Sequence, residues 1–332
     1  MSYQDIIREL KNKIYKPIYF LYGEEPYFID KISSYIADNV LSESERDFNQ
    51  TILYGKDTLI DDIINGAKRY PMMANYQVII VKEAQEIKNI EKLEFYAEKP
   101  LNSTILVINY KYGTPDKRKK FYKILEKTAL VFESKKLYEN QVPEWINTYL
   151  KERNYSISPV SSKLLVEFLG ADLSKIANEL EKLMISLPEK ATITPDDIEK
   201  NIGFSKDYNN FELQNAIRDR DILKANRIII HFGKNPKDNP VTLTIISLFM
   251  YFSKMLTYHF LQDKSKANAA SVLKVNPFFV QDYAKACQAY NARKVVSVIS
   301  ILREYDMKAK GVNNPGISDE DLLKELIYKI MH

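Results

Sequence analysis

The stretch Tyr19–Lys31 reads YFLYGEEPYFIDK. It begins inside a short apolar run, Ile18–Tyr22, turns at Gly23, and opens into a helical pattern with Pro26 in its first turn. A strand, a glycine and a helix N-terminus form the frame of a phosphate-binding loop, because free N–H groups and the helix dipole favour an anion there. The complete pattern is GxxxxGK followed by Ser or Thr. Counted from Gly23, the closing positions hold Phe28, Ile29 and Asp30, so the second glycine, the lysine and the hydroxyl are all missing. Lys31 is out of register, and Glu24 and Glu25 bring negative charge to where phosphates would sit. On its residues the segment is an ordinary strand-to-helix turn with no bound cofactor.

Working outward, residues 1–140 alternate between two periods. Apolar runs predict strands at Ile18–Tyr22, Asn49–Tyr54, Gln77–Val81, Thr104–Ile108 and Leu130–Glu133. Helical spacing fills the gaps at Pro26–Ala37, Leu59–Lys68, Ile87–Ala97 and Lys117–Lys127. Such alternation predicts an α/β domain, a mostly parallel sheet with helices on both faces. The runs VIIV and ILVI are unbroken, as strands buried on two sides require.

After Lys136 the strand signals fade. VPEWINTYLKE is helical, with Trp145, Ile146, Tyr149 and Leu150 on one face. Ser158 caps a helix with Pro159 at its first position and Gly170 at its end. Asp172 caps the next, and Thr194 with Pro195 repeats the device for a helix expected to stop at Gly203. From Asn209 onward everything reads as helix, punctuated by Pro240, Pro277 and Pro315. Ser318 and Asp321 make a variant capping box for the last helix, whose stripe is Leu322, Leu323, Leu326, Ile327 and Ile330. The expected divisions are 1–140, an all-α segment 141–208, and a second all-α domain 209–332.

The 332 residues suffice for two or three domains with a substantial core. With 28% charged and 45% hydrophobic residues, the balance is that of a globular chain. A net charge of +4 is too small to declare a nucleic-acid binder. The single cysteine, Cys287, excludes an intramolecular disulfide and a cysteine-based zinc site, and on its helix it reads as a small core residue. His231, His259 and His332 lie far apart, so no metal site and no histidine-dependent catalytic group is expected. MSYQDIIREL is not a signal peptide, and no apolar run approaches a membrane span, which gives a cytoplasmic reading.

Two further segments could carry function. In TPDKRKKFYKILEK, Phe121, Ile124 and Leu125 share one helix face, while Lys119, Lys120, Lys123 and Lys127 share the other. The basic face is either a solvated surface or a contact for a phosphate backbone. Asp116 is the expected N-cap. In RYPMMANYQVII, Met72 and Met73 follow Pro71 directly before a buried strand. Flexible, polarizable side chains there serve either as a core plug or as an anchor in a partner's hydrophobic pocket. The acidic pairs Asp61–Asp62 and Asp196–Asp197 read as first-turn residues favoured by the helix dipole.

Five blocks together resemble the delta subunits of bacterial DNA polymerase III. They are YFLYGEEPYFID, YPMMANYQVIIVKEA, DKRKKFYKIL, GADLSKIANELEKL, and VNPFFVQDYAKACQAY leading to LREYDMKAKG. The segment KYGTPDKRKK departs from the family's lysine-rich approach to the basic helix. The resemblance implies an AAA+-like first domain with a degenerate nucleotide site, a small helical lid and a C-terminal helical collar. It implies no intrinsic activity, but a place in a DNA-directed DNA polymerase holoenzyme. The implied partners are the beta sliding clamp, the delta-prime and tau/gamma loader subunits, and primed DNA. In the family, two adjacent large hydrophobics at this point enter the clamp's pocket, which assigns clamp contact to Met72 and Met73 behind Pro71. Lys119, Lys120 and Lys123 are the candidates for DNA. An active AAA+ ATPase with a divergent phosphate loop, and a helical scaffold of another assembly, are the competing readings.

Overall fold

The computed structural model describes residues 1–202, 207–314 and 316–332. Two compact units divide the chain, Met1–Leu137 and Tyr138–His332. Gly203, the expected helix stop, and Pro315, an expected breaker, lie outside the described residues.

The first unit runs α1 (Tyr3–Lys11), β1 (Ile18–Gly23), α2 (Pro26–Asn39), α3 (Glu43–Asn49), β2 (Gln50–Tyr54), α4 (Ile60–Ala67), β3 (Gln77–Lys82), the one-turn α5 (Glu94–Ala97), β4 (Thr104–Lys111), α6 (Lys120–Thr128) and β5 (Leu130–Ser134). Its five strands form one parallel sheet in the order β2-β3-β4-β1-β5. Alternate residues of β1, β3, β4 and β5 enter different cores, as the pleat requires. Ile18, Phe20, Ile79, Val81, Leu106 and Ile108 join residues of α4, α5 and α6 on one face. Tyr19, Leu21, Val78, Ile80, Ile105 and Val107 join residues of α1 and α2 on the other. Double coverage is why these runs are unbroken in the sequence.

Two local expectations are corrected. Only Glu94–Ala97 of the expected helix Ile87–Ala97 is α-helical; single 3₁₀ turns at Ala84–Glu86 and Ile90–Leu93 precede it. The left-handed Asn89, at φ 57°, breaks the helical path. The basic helix begins at Lys120 with Lys119 as its cap, not Asp116. The Asp116 carboxylate is engaged in its own turn, where it accepts the Arg118 N–H at 3.0 Å.

The second unit contains α7 (Val142–Lys151), β6 (Ser156–Ile157), α8 (Pro159–Leu169), α9 (Leu173–Ser186), β7 (Thr192–Ile193), α10 (Pro195–Ile202), α11 (Asn210–Arg218), α12 (Ile222–Lys234), α13 (Val241–Phe260), α14 (Lys266–Leu273), α15 (Val280–Ala289), α16 (Ala292–Ala309) and α17 (Asp319–Met331). The caps at Ser158, Asp172 and Ser318 form as expected. The short parallel pair β6–β7 is an addition; two residues per strand leave no readable period. The Glu167 carboxylate of α8 accepts the Asn210 N–H at 2.7 Å, which ties α8 to the start of α11. Cys287 is partly buried, its thiol facing the Met255 carbonyl, and burial pushes that thiol up to about 11.

Residues of α11–α17 share one core, and α17 packs its stripe on α12 and α16. By length and composition alone α13 could cross a membrane, which corrects the expectation that no apolar run approaches that length. Lys254 and His259 interrupt the run in the sequence without interrupting the helix. Its inward face, Val241, Ile245, Leu248, Phe252 and Met255, belongs to the core of the unit. Leu243, Ile246, Phe249 and Met250 stay exposed on the same helix.

Candidate functional site

The segment between α4 and β3 is anchored at both ends. Helix α4 leaves carbonyls without helical partners at its C-terminus, as every helix does. The Thr104 hydroxyl donates to the Ala67 carbonyl at 2.9 Å. The buried Gln77 amide donates to Thr104 Oγ1 at 2.7 Å and lies against the Gly66 and Arg69 carbonyls. Pro71 then follows with no N–H of its own. Beyond it, Met72 is 63% exposed and Met73 fully so, beside an exposed Tyr70. The core-plug alternative is excluded by that exposure. The head of the loop is held from α3. Asn49 Oδ1 accepts the Met72 N–H at 2.6 Å, and Asn49 Nδ2 donates to the Met72 carbonyl at 2.9 Å. The sequence suggested Asn49 as the first residue of a strand; the structure makes it the last residue of α3.

The turn after β1 lies at the opposite end of the sheet. In a sheet of this order, β1 and β4 are neighbours at a topological switch point, and the crevice beyond their C-terminal ends is where ligands of α/β sheets bind. Here the turn bonds to residues at the ends of the two neighbouring strands. Tyr112 N–H donates to the Gly23 carbonyl at 2.8 Å. Ser134 Oγ donates to the Glu25 carbonyl at 2.7 Å, and Glu25 N–H donates to the Ser134 carbonyl at 3.2 Å. A Cβ on Gly23 would stand 2.1 Å from the Ser134 carbonyl oxygen, and φ there is 134°. Only glycine fits there, because of the Ser134 carbonyl at the end of β5.

The closing positions have structural work. Phe28 packs on Tyr3 with ring centroids 4.9 Å apart. Ile29 is wholly buried. Asp30 pairs with Lys111 Nζ at 2.7 Å, from the end of β4. The Glu25 side chain caps α2 by accepting the Tyr27 N–H at 3.1 Å, so a carboxylate stands at the helix N-terminus.

The basic helix divides its lysines. Lys119 pairs with Glu91, and that bond holds its ammonium above the ordinary lysine range. Lys120 pairs with Glu98 at 3.1 Å and is raised by that contact first. Lys123 is exposed and has no ion-pair partner among the described residues.

Asn49, Gln77, Thr104, Lys111 and Ser134 were not singled out by sequence. Gln77 and Thr104, polar first residues each followed by four apolar ones, are the signal that could have found part of the loop anchor.

Residues 19–135 match the family model described as DNA polymerase III, delta subunit. The chain is 28% identical to the DNA polymerase III subunit delta of Bacillus subtilis, over 97% of this chain and 94% of that one. It is 21% identical to the probable DNA polymerase III subunit delta of Aquifex aeolicus, over 88% and 86% of the two chains. The solved structure of the Bacillus subtilis DNA clamp loader delta protein matches with a TM-score of 0.54 and 25% identity, over 99% of each chain. The resemblance and the fold class read from the sequence are borne out.

Proposed function

We propose, from its similarity to the delta subunits of DNA polymerase III over nearly its whole length, that the chain binds and opens the beta sliding clamp for loading onto primed DNA. The observation that carries this reading is the pair Met72–Met73, apolar and exposed on a loop anchored at both ends. A buried anchor in a partner pocket is the role such a pair suits. Opening follows from binding only if the chain prefers the open clamp, since a ligand shifts an equilibrium by its difference in affinity alone. The degenerate turn at Gly23, Phe28, Ile29 and Asp30 supports a subunit that does not hydrolyse ATP itself. Hydrolysis then falls to the tau/gamma subunits of the same loader, beside delta-prime.

The remaining parts take roles on the same reading. Residues 1–140 form the AAA+-like clamp-binding domain, 141–208 the lid and 209–332 the collar. The exposed residues Leu243, Ile246 and Met250 on α13 offer the collar an apolar surface for neighbouring subunits. Lys123 is the best placed of the three lysines for DNA, because Lys119 and Lys120 must first release carboxylates. A cytoplasmic location follows from replication.

The test is a Met72→Ala, Met73→Ala double variant, read by surface plasmon resonance against a purified beta clamp and by thermal melting. Hot-spot truncation costs at least ~2 kcal/mol, roughly a thirtyfold loss of affinity. The melting temperature should not move. Binding at wild-type strength would overturn the reading.

A further inference from the structure

The exposed methionines do not hold their own conformation. Met73 is fully exposed, so its side chain packs on nothing that could fix it, yet its backbone is left-handed at φ 53°. Such a conformation is unfavourable for an L-residue and persists only where the surroundings hold it. The adjacent hold is on Met72. Asn49 is 5% exposed, and it grips both the N–H and the C=O of Met72. A two-point bond to one residue fixes the rotation of its peptide planes as well as their position. Asn49 Nδ2 also donates to the Glu45 carbonyl at 3.0 Å, within its own helix. The amide therefore joins the last turn of α3 to the loop and leaves no polar atom unmatched.

We infer that Asn49 is a positioning residue, which holds the Met72–Met73 pair in the one loop conformation that presents both side chains to an apolar pocket. The inference rests on the clamp-contact reading above. Its physical basis is preorganisation. Apparent affinity falls by the fraction of molecules whose loop is in the competent conformation, and ordering a loose loop at the moment of binding costs affinity. The chemistry requires an amide. Aspartate keeps the acceptor for the Met72 N–H but turns the donor into an oxygen facing the Met72 carbonyl. Alanine removes both.

The experiment compares Asn49→Ala and Asn49→Asp with wild type, in the full chain, by three readouts: melting temperature, amide exchange at Met72, and affinity for a purified sliding clamp. Asn49→Ala should speed exchange at Met72 and weaken clamp binding by about tenfold in protein that is still folded. Asn49→Asp should fall between alanine and wild type, and it carries the test if the alanine variant does not fold. The decisive arm places Asn49→Ala in the Met72→Ala, Met73→Ala background. A residue that acts only through the methionines has no further effect on residual clamp binding there. An equal loss in both backgrounds would overturn the inference, and so would wild-type clamp affinity in either Asn49 variant. If instead the methionine double variant itself binds like wild type, the clamp-contact reading fails first, and the two failures are told apart.

Discussion

Two loops at opposite ends of one sheet treat their polar groups in opposite ways. The turn after β1 directs most of its groups to partners within the chain. Its backbone bonds to Ser134 and Tyr112, its isoleucine enters the core, and its aspartate pairs with Lys111. The loop before β3 is tied down just as firmly, by Gln77, Thr104 and Asn49, but leaves two methionines in solvent. The first has the frame of a nucleotide-site loop, with its backbone bonded to the ends of β4 and β5. The second has no such frame and leaves its apolar side chains exposed to solvent. Rigidity is common to both; what differs is whether the side chains that remain have been given something to do inside the molecule.

The contrast makes substitutions at the sealed turn costly to stability. The largest effect should come from Gly23→Ala, which must displace the Ser134 carbonyl and adopt a strained φ. A loss on the order of 4 kcal/mol, read by urea unfolding, sits at the exceptional end for single changes. A loss below ~1 kcal/mol would mean that the turn is looser than described. Next, Ile29→Ala should cost about 3 kcal/mol as a cavity in a close-packed core, whereas Met73→Ala should stay within about 0.5 kcal/mol as an exposed change. Equal losses at the two sites would erase the distinction between the loops.

The lysines extend the comparison to charge. Lys119 and Lys120 are paired internally, as the sealed turn is, while Lys123 points outward, as the methionines do. On the proposed DNA-contact role, Lys123→Ala should lower the slope of log affinity for primed DNA against log salt by about 1. Lys119→Ala and Lys120→Ala should lower it less, and the reverse ranking would refute the assignment. Asp30→Asn, at a half-exposed ion pair, should cost under ~1 kcal/mol in thermal melting. The smallest expected signal is none: titration of the chain with Mg-ATP should release no heat beyond dilution. A micromolar dissociation constant would favour the active-ATPase alternative.

Much of this is legible in the sequence. The five strands were readable because sheet burial leaves unbroken apolar runs, and the helix caps because Ser158, Asp172 and Ser318 act on N–H groups three residues away or fewer. Errors fell where a local cue had a competing partner nearby. Asp116 looked like a helix cap but was engaged by Arg118, and the pattern at Ile87–Ala97 ignored the left-handed Asn89.

The sequence by itself determined that the first unit is a doubly covered parallel sheet, that its phosphate loop lacks glycine, lysine and hydroxyl, and that two methionines precede the third strand. Tertiary structure alone decided what those residues do. Asn49 and Met72 are 23 positions apart, and Ser134 and Glu25 are 109 apart. Periodicity and capping act over three or four residues, so no local pattern carries such pairings. They exist only once the strands have registered and brought the ends of distant elements together.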